Sequence, residues 1–177
     1  IKSLRSNVHV LALTATPIPR TLQMSLVGLR DLSIISTAPL NRQNINTEVI
    51  DFNDEKIISA IEYELSRNGQ VYYVCPRINE LKEVEDFLKS KLPNVKYQIA
   101  HGQMQSKNLK NTMIDFYNNE FQLLLCTTIV ESGLDLQKTN TMIIHNSDKF
   151  GLSQLYQLRG RIGRSNIEAF CFYTVKD

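Results

Sequence analysis

Three guanidiniums and two glycines stand between Arg159 and Arg164, in the tract Gln157-Leu158-Arg159-Gly160-Arg161-Ile162-Gly163-Arg164-Ser165, with no Asp or Glu among them. Arg presents a planar fork of donors, stays charged at any working pH and matches phosphate oxygens two at a time. The glycines let backbone come close to such a ligand. The tract reads as a phosphate-contacting element, although taken alone it also fits a solvated basic surface turn. Two other tracts change that balance. An apolar run, residues 8–13, stops abruptly in Thr14-Ala15-Thr16-Pro17, the pattern of a buried strand that opens into a functional loop. Cys126-Thr127-Thr128-Ile129-Val130-Glu131-Ser132-Gly133-Leu134-Asp135 repeats it: a strand end, then hydroxyls, a glycine and a carboxylate.

The elements that must position these groups alternate. Residues 8–13 read as a strand and 19–28 as a short helix, with Pro19 at an early position and Leu22, Leu26 and Leu29 at helical spacing. The pattern then breaks, and residues 37–45 read as a linker. After it come a strand at 46–52 and a helix capped by Asn53, with Asp54 and Glu55 in the first turn, where the helix dipole favours them. Asn68-Gly69 ends that helix. Strands follow at 70–75, 97–100, 123–126, 142–145 and 170–175, with helices at 81–92, 106–118 and 152–159. Strands separated by helical segments pair in parallel through right-handed crossovers, giving an open α/β sheet covered on both faces. Ligands of such sheets gather beyond the carboxyl ends of the strands, which is where Thr127 and Thr128 fall.

Bulk properties bound the function. The chain has 177 residues, 42% of them hydrophobic and 21% charged, and a formal net charge of +2. That charge is too small to steer nucleic acid from a distance, so any contact with it must come from local placement. Cys75, Cys126 and Cys171 are odd in number, far apart and without a C-x-x-C pair, and read as buried reduced thiols of a cytoplasmic protein with no metal site. No apolar run approaches the roughly 18 residues of a membrane span.

In this order the three tracts resemble motifs III, V and VI of superfamily 2 helicases and translocases. The resemblance continues through Ile18-Pro19-Arg20-Thr21-Leu22, Arg30-Asp31-Leu32-Ser33-Ile34-Ile35, Gly69-Gln70-Val71-Tyr72-Tyr73, His101-Gly102-Gln103-Met104 and Phe150-Gly151-Leu152-Ser153-Gln154-Leu155. Over nearly its whole length the chain resembles the second RecA-like lobe of bacterial transcription-repair coupling factors, ATP-driven translocases on double-stranded DNA. Branched-DNA helicases share motifs III, V and VI but resemble it less over residues 30–35.

The resemblance implies a RecA-like, mainly parallel sheet with helices on both faces, and a division into the tail of a first lobe (1–36), a linker (37–45) and a second lobe (46–177). It implies that Arg161 and Arg164 are catalytic, stabilising a transferred phosphoryl group, with Gln157, Gly133 and Asp135 near the nucleotide. Thr127, Thr128, His101, Gly102 and Gln103 would hold the DNA backbone, and Thr14, Ala15 and Thr16 would couple hydrolysis to lobe movement. Hydroxyls and backbone N–H groups bind phosphates without reading base identity, as a motor on arbitrary sequence requires. Arg159 reads instead as a surface packing residue, Tyr72 and Tyr73 as core and rim, and Lys107 and Lys110 as surface or as neighbours of the DNA site. The implied cofactors are ATP and Mg2+, and the implied partners are double-stranded DNA, a first lobe and, through other domains, RNA polymerase and excision-repair proteins.

A phosphate-cradling G-x-x-x-x-G-K-[ST] loop is missing from the sequence, since none of its seven glycines precedes Lys. Asp54-Glu55 opens a helix and does not replace an acidic Mg2+ box. The expectation is half of a motor, trimmed from a longer chain, that binds nucleotide weakly and does not hydrolyse it alone. A non-catalytic nucleic-acid-binding module is the alternative.

Overall fold

The computed structural model describes residues 33, 35, 44–52, 54–128 and 138–176. Apart from Ser33 and Ile35, these lie in one compact unit, Ser36–Asp177; the other unit is Ile1–Ile35. The expected strand at 8–13, the helix at 19–28, the Asn53 cap and most of the linker lie outside the described residues.

Six strands form one sheet: β1 (Ile45–Asp51), β2 (Gln70–Val74), β3 (Tyr97–Ala100), β4 (Leu123–Cys126), β5 (Thr139–Ile144) and β6 (Ala169–Val175). Their order is β1-β6-β5-β2-β4-β3, and every neighbouring pair is parallel. Among the described residues four α-helices lie between them: α1 (Asp54–Ser66), α2 (Ile78–Lys91), α3 (Ser106–Tyr117) and α4 (Leu152–Arg159).

Alternation along the strands sorts the core into two layers. Val71, Tyr73 and Cys75 join Leu123, Leu125 and Ile143 against Ile57 and Ile61 of α1 and Leu81, Val84 and Leu88 of α2. Tyr72 and Val74 join Leu124, Cys126, Met142 and Ile144 against Met113 and Phe116 of α3 and Leu158 of α4. The adjacent tyrosines thus serve opposite faces. Burying each Leu or Ile of these layers contributes roughly 1.5–3 kcal/mol. All three cysteines are buried free thiols, and burial pushes Cys171 up to about 12.

Helix placement follows chain direction. The connections β1→α1→β2 and β2→α2→β3 step one way along the sheet on one face; β3→α3→β4 and β5→α4→β6 step back on the other. This is what right-handed crossovers require.

Two departures from the sequence reading have physical causes. β5 starts at Thr139, three residues ahead of the expected 142, because its polar first half is buried and partnered: Thr141 Oγ1 donates to Glu64 at 2.5 Å, and Asn140 Oδ1 accepts from Ser165 at 3.1 Å. At the end of α1 it is Asn68, with φ 58°, that takes the left-handed position, whereas Gly69 is not among the positive-φ residues. Gly69 answers a different need. The Glu64 carboxylate, fully buried, lies where a Cβ on residue 69 would stand. It is held there by Thr141 and by Arg67, whose guanidinium also donates to the Glu168 carbonyl at 2.7 Å and covers the Tyr63 and Phe170 rings at 5.0 and 5.5 Å. This network fastens α1 to the amino-terminal ends of β5 and β6. Gly69→Ala forces the carboxylate from its partners and is expected to lower stability by about 1–3 kcal/mol, read as a fall in the urea midpoint. Asn68→Gly, which keeps an easy left-handed residue, is expected to leave the midpoint nearly unchanged.

Candidate nucleic-acid and phosphate site

Parallel pairing delivers the carboxyl ends of β2, β4 and β3 side by side, in that order. The backbone keeps them level past the last strand residue: Cys75 N–H donates to the Cys126 carbonyl at 2.8 Å, and Thr127 N–H to the Ala100 carbonyl at 3.2 Å. Thr127 and Thr128 therefore leave the sheet beside His101, Gly102 and Gln103. Thr127 is buried and Thr128 half-buried, so Thr128 offers the more accessible hydroxyl. After β3 the chain turns tightly, Met104 N–H reaching the His101 carbonyl at 3.1 Å, which leaves Gly102 and Gln103 exposed. The His101 ring is half-buried, and its Nδ1 is enclosed with no partner among the described residues.

One strand over, the end of β5 is tied down. Asn146 sits at φ 47°, its side chain donating to Glu80 of α2 at 2.7 Å, and Lys149 reaches the same carboxylate oxygen at 3.0 Å. Burial alone would raise the Glu80 pKa, yet the Asn146 and Lys149 hydrogen bonds hold it below its ordinary value. Burial likewise holds the His145 ring below its usual pKa, although Glu83 and Glu80 act the other way. The ring stands edge-on to Phe52 at 5.4 Å. The network fixes the turn from which α4 starts. Sequence reasoning missed it; the only signal was an Asn placed between a strand and a helix, a residue type that tolerates left-handed backbone.

The arginine tract is built as a turn. α4 ends at Arg159, which stacks over Tyr156 at 5.0 Å, in keeping with a surface packing role. Gly160 caps the helix, and Arg161 N–H and Ile162 N–H return to the Leu158 and Arg159 carbonyls. Ile162 is buried, and Gly163 follows at φ 68°, where a Cβ would stand 3.0 Å from Ile45 Cγ1 and 3.3 Å from Ala169 Cβ. Only Gly meets both demands, a left-handed backbone and close approach to the starts of β1 and β6. Arg161, half-buried, and Arg164, exposed, thus flank an anchored pair. They lie beyond the last helical residue, so turn geometry sets their direction. Burial pushes the Tyr72 phenol of the central strand well above its usual value and Cys126 adds to that, while the Arg161 and Arg164 guanidiniums oppose it. Gln157 is half-buried on α4.

The expected site residues therefore fall into two groups, Thr127, Thr128 and His101 to Gln103 at the carboxyl edge, and Gln157, Arg161 and Arg164 on the α3/α4 face and beyond it. Gly133 and Asp135, which would join them, and Thr14, Ala15 and Thr16 lie outside the described residues. No helix among the described residues is long and apolar enough to cross a membrane.

The profile of the helicase conserved C-terminal domain matches residues 53–166. The chain is 50% identical over 175 residues to a transcription-repair-coupling factor of Rickettsia bellii, covering 99% of this chain and 16% of that protein. It is 51% identical over 177 residues to a chloroplastic ATP-dependent DNA helicase of Arabidopsis thaliana, covering all of this chain and 22% of that one. The chain thus spans well under half the length of these relatives. Among solved structures, RecG bound to a three-way DNA junction superposes with a TM-score of 0.73 at 33% identity, over 92% of this chain and 22% of that one. With its parallel six-stranded sheet and helices on both faces, the chain belongs to the helicase conserved C-terminal domain family and has the fold of a RecA-like carboxy-terminal lobe.

Proposed function

We propose that this chain is the second motor lobe of an ATP-dependent translocase on double-stranded DNA, one that couples transcription to excision repair by displacing stalled RNA polymerase. The observation that carries the proposal is identity of about half the residues to coupling factors over 99% of the chain. RecG, bound to a DNA junction in its solved structure, supports DNA as the ligand. The same lobe of a branched-DNA helicase is the second reading, supported by that neighbour, but at a lower identity of 33%.

The donor set fits a nucleotide triphosphate. From Leu152 to Ser165 there are three guanidiniums and no carboxylate. ATP with Mg2+ supplies the phosphoryl group whose transfer drives stepping. In this proposal Arg161 and Arg164 donate to its oxygens from across a cleft closed by a first lobe, stabilising charge that grows in the transition state. Gln157 hydrogen-bonds near the γ-phosphate, and Gly133 and Asp135 approach the nucleotide. Thr127, Thr128, His101, Gly102 and Gln103 hold the backbone of one DNA strand, while Thr14, Ala15 and Thr16 couple the lobes. RNA polymerase and excision-repair proteins are engaged through other domains, in the cytoplasm.

Three outcomes are expected. Arg164→Ala in the full-length protein lowers ATPase turnover by about 10³- to 10⁵-fold while duplex DNA binding is largely retained; turnover near wild type sinks the catalytic assignment. Thr128→Val weakens duplex binding roughly tenfold, and equally on unrelated sequences, because a phosphate contact carries no base information. A loss confined to one sequence contradicts that role. The 177-residue chain alone turns over no ATP and binds nucleotide weakly in calorimetry, and adding a separately expressed first lobe raises the affinity. Brisk turnover by the chain alone overturns the two-lobe arrangement.

A further inference from the structure

One lateral margin of the sheet, away from the strand ends, is open. β1 is an outer strand: it pairs along its whole length with β6, and no strand among the described residues lies on its other side. Phe52 N–H donates to the Val175 carbonyl at 3.0 Å, and along a strand alternate residues aim their backbone groups at opposite neighbours. Glu48 and Ile50 therefore face β6, whereas Thr47, Val49 and Asp51 turn N–H and C=O outward. Such a margin is commonly blunted by Lys, Pro, a bulge or a covering segment. β1 has seven residues in unbroken register, without Lys, Arg or Pro, and Val49 is 69% exposed. Beside it runs a groove of about 610 Å³, lined by Val49, Ile50 and Asp51 and by Glu55, Lys56 and Ser59 of α1. Lys56 is engaged by Glu48 at 2.6 Å, and the Ser59 hydroxyl donates to the Glu55 carbonyl at 2.8 Å. The carboxylates of Asp51 and Glu55 have no ion-pair partner among the described residues.

We propose that the open margin of β1 and the groove beside it dock an extended segment of a protein partner, which adds to the sheet as a strand and carries basic residues at alternate positions. Main-chain hydrogen bonds to Thr47, Val49 and Asp51 supply affinity, and the groove supplies specificity, because alternate side chains of an added strand fall on opposite faces. Ile50 is buried on the α1/α2 side of the sheet, so Val49 and Asp51 present their side chains on the other. On the α1 side the segment meets the Glu55 carboxylate. On the other it meets exposed Val49 and then the Asp51 carboxylate. The occupant is therefore cationic, with an apolar residue beside Val49. A second copy of this chain fits less well, since its own β1 would bring Glu48 and Asp51 toward the same two acids, and like charges across a strand pair are destabilising. The surface is independent of the nucleotide and DNA assignments above.

The test is binding of a fluorescein-labelled, acetylated and amidated peptide, Lys-Val-Lys-Val-Lys-Val-Lys, to the full-length protein by anisotropy. Two further peptides serve as comparisons, one with Glu for every Lys and one of the same composition with its lysines and valines in separate blocks. The alternating Lys peptide is expected to bind, and both comparison peptides at least about tenfold more weakly. Asp51→Asn with Glu55→Gln lowers affinity for the Lys peptide by about tenfold, the combined effect of two exposed charge pairs. Val49→Pro removes an outward N–H while sparing the β6 ladder, and is expected to abolish binding with ATPase turnover unchanged. Equal binding of the block peptide overturns the proposal, because it shows attraction to charge without strand addition. No binding of the Lys peptide, or binding that survives both the paired acid replacement and Val49→Pro, overturns it too. Dimerisation of the full-length protein in sedimentation that Val49→Pro abolishes, without peptide binding, gives the margin to a second copy instead. ATPase turnover and duplex binding stay as they are in each of these outcomes, so the motor-lobe reading stands or falls separately.

Discussion

Parallel pairing is the constraint from which the rest of this lobe follows. A strand that must run alongside its neighbour in the same direction needs a connection that recrosses the sheet, and right-handed crossovers allow that on one face for each direction of travel. The order β1-β6-β5-β2-β4-β3 therefore fixes α1 and α2 on one side and α3 and α4 on the other. It also sends all six carboxyl ends to one edge. The polar loops of β2, β4 and β3 meet there because their strands are neighbours, although Cys75, Ala100 and Cys126 are separated in sequence by whole helices.

The groups proposed to touch phosphate need support that is itself immobile, and the structure supplies it by burying polar anchors and one close-packed glycine. Glu64, enclosed between Thr141, Arg67 and Gly69, fixes the amino-terminal side of the sheet. Glu80, accepting from Asn146 and Lys149, fixes the start of α4. Gly163, pressed against Ile45 and Ala169, fixes the turn from which Arg161 and Arg164 project. Each carboxylate is gripped at Oε2, Glu64 by Thr141 and Arg67 and Glu80 by Asn146 and Lys149, and a buried charge that lost such partners would be costly, so each holds one geometry rather than a range of them.

Much of this was legible beforehand. Helical spacing delimited α4 from Leu152 to Arg159, and apolar runs gave β2 and β4 to within one residue, because a strand buried on both faces is a near-continuous apolar run; the edge strand β3, only partly buried, also fell where expected. β5 was not fully legible. Its first three residues, Thr139, Asn140 and Thr141, look like a loop until Glu64 and Ser165 are seen to hold Thr141 and Asn140. Gly69 was readable as a helix stop but not as the space a carboxylate occupies, since that partner lies across a helix turn and depends on Arg67 and Thr141. The arginines were readable by type and not by direction, which a left-handed glycine decides.

Residue types and local spacing determined the α/β alternation, the strand end that opens into the hydroxyls of Thr127 and Thr128, and the arginine tract with the donors proposed to meet phosphate. These depend on periodicity and on side-chain donors, both properties of short windows of chain. Only the tertiary structure decided which strand ends lie together, which acids are paired with which cations, and which glycine is required by its backbone conformation and which by a neighbour. Those are properties of interactions between segments far apart in sequence, and no local pattern encodes them.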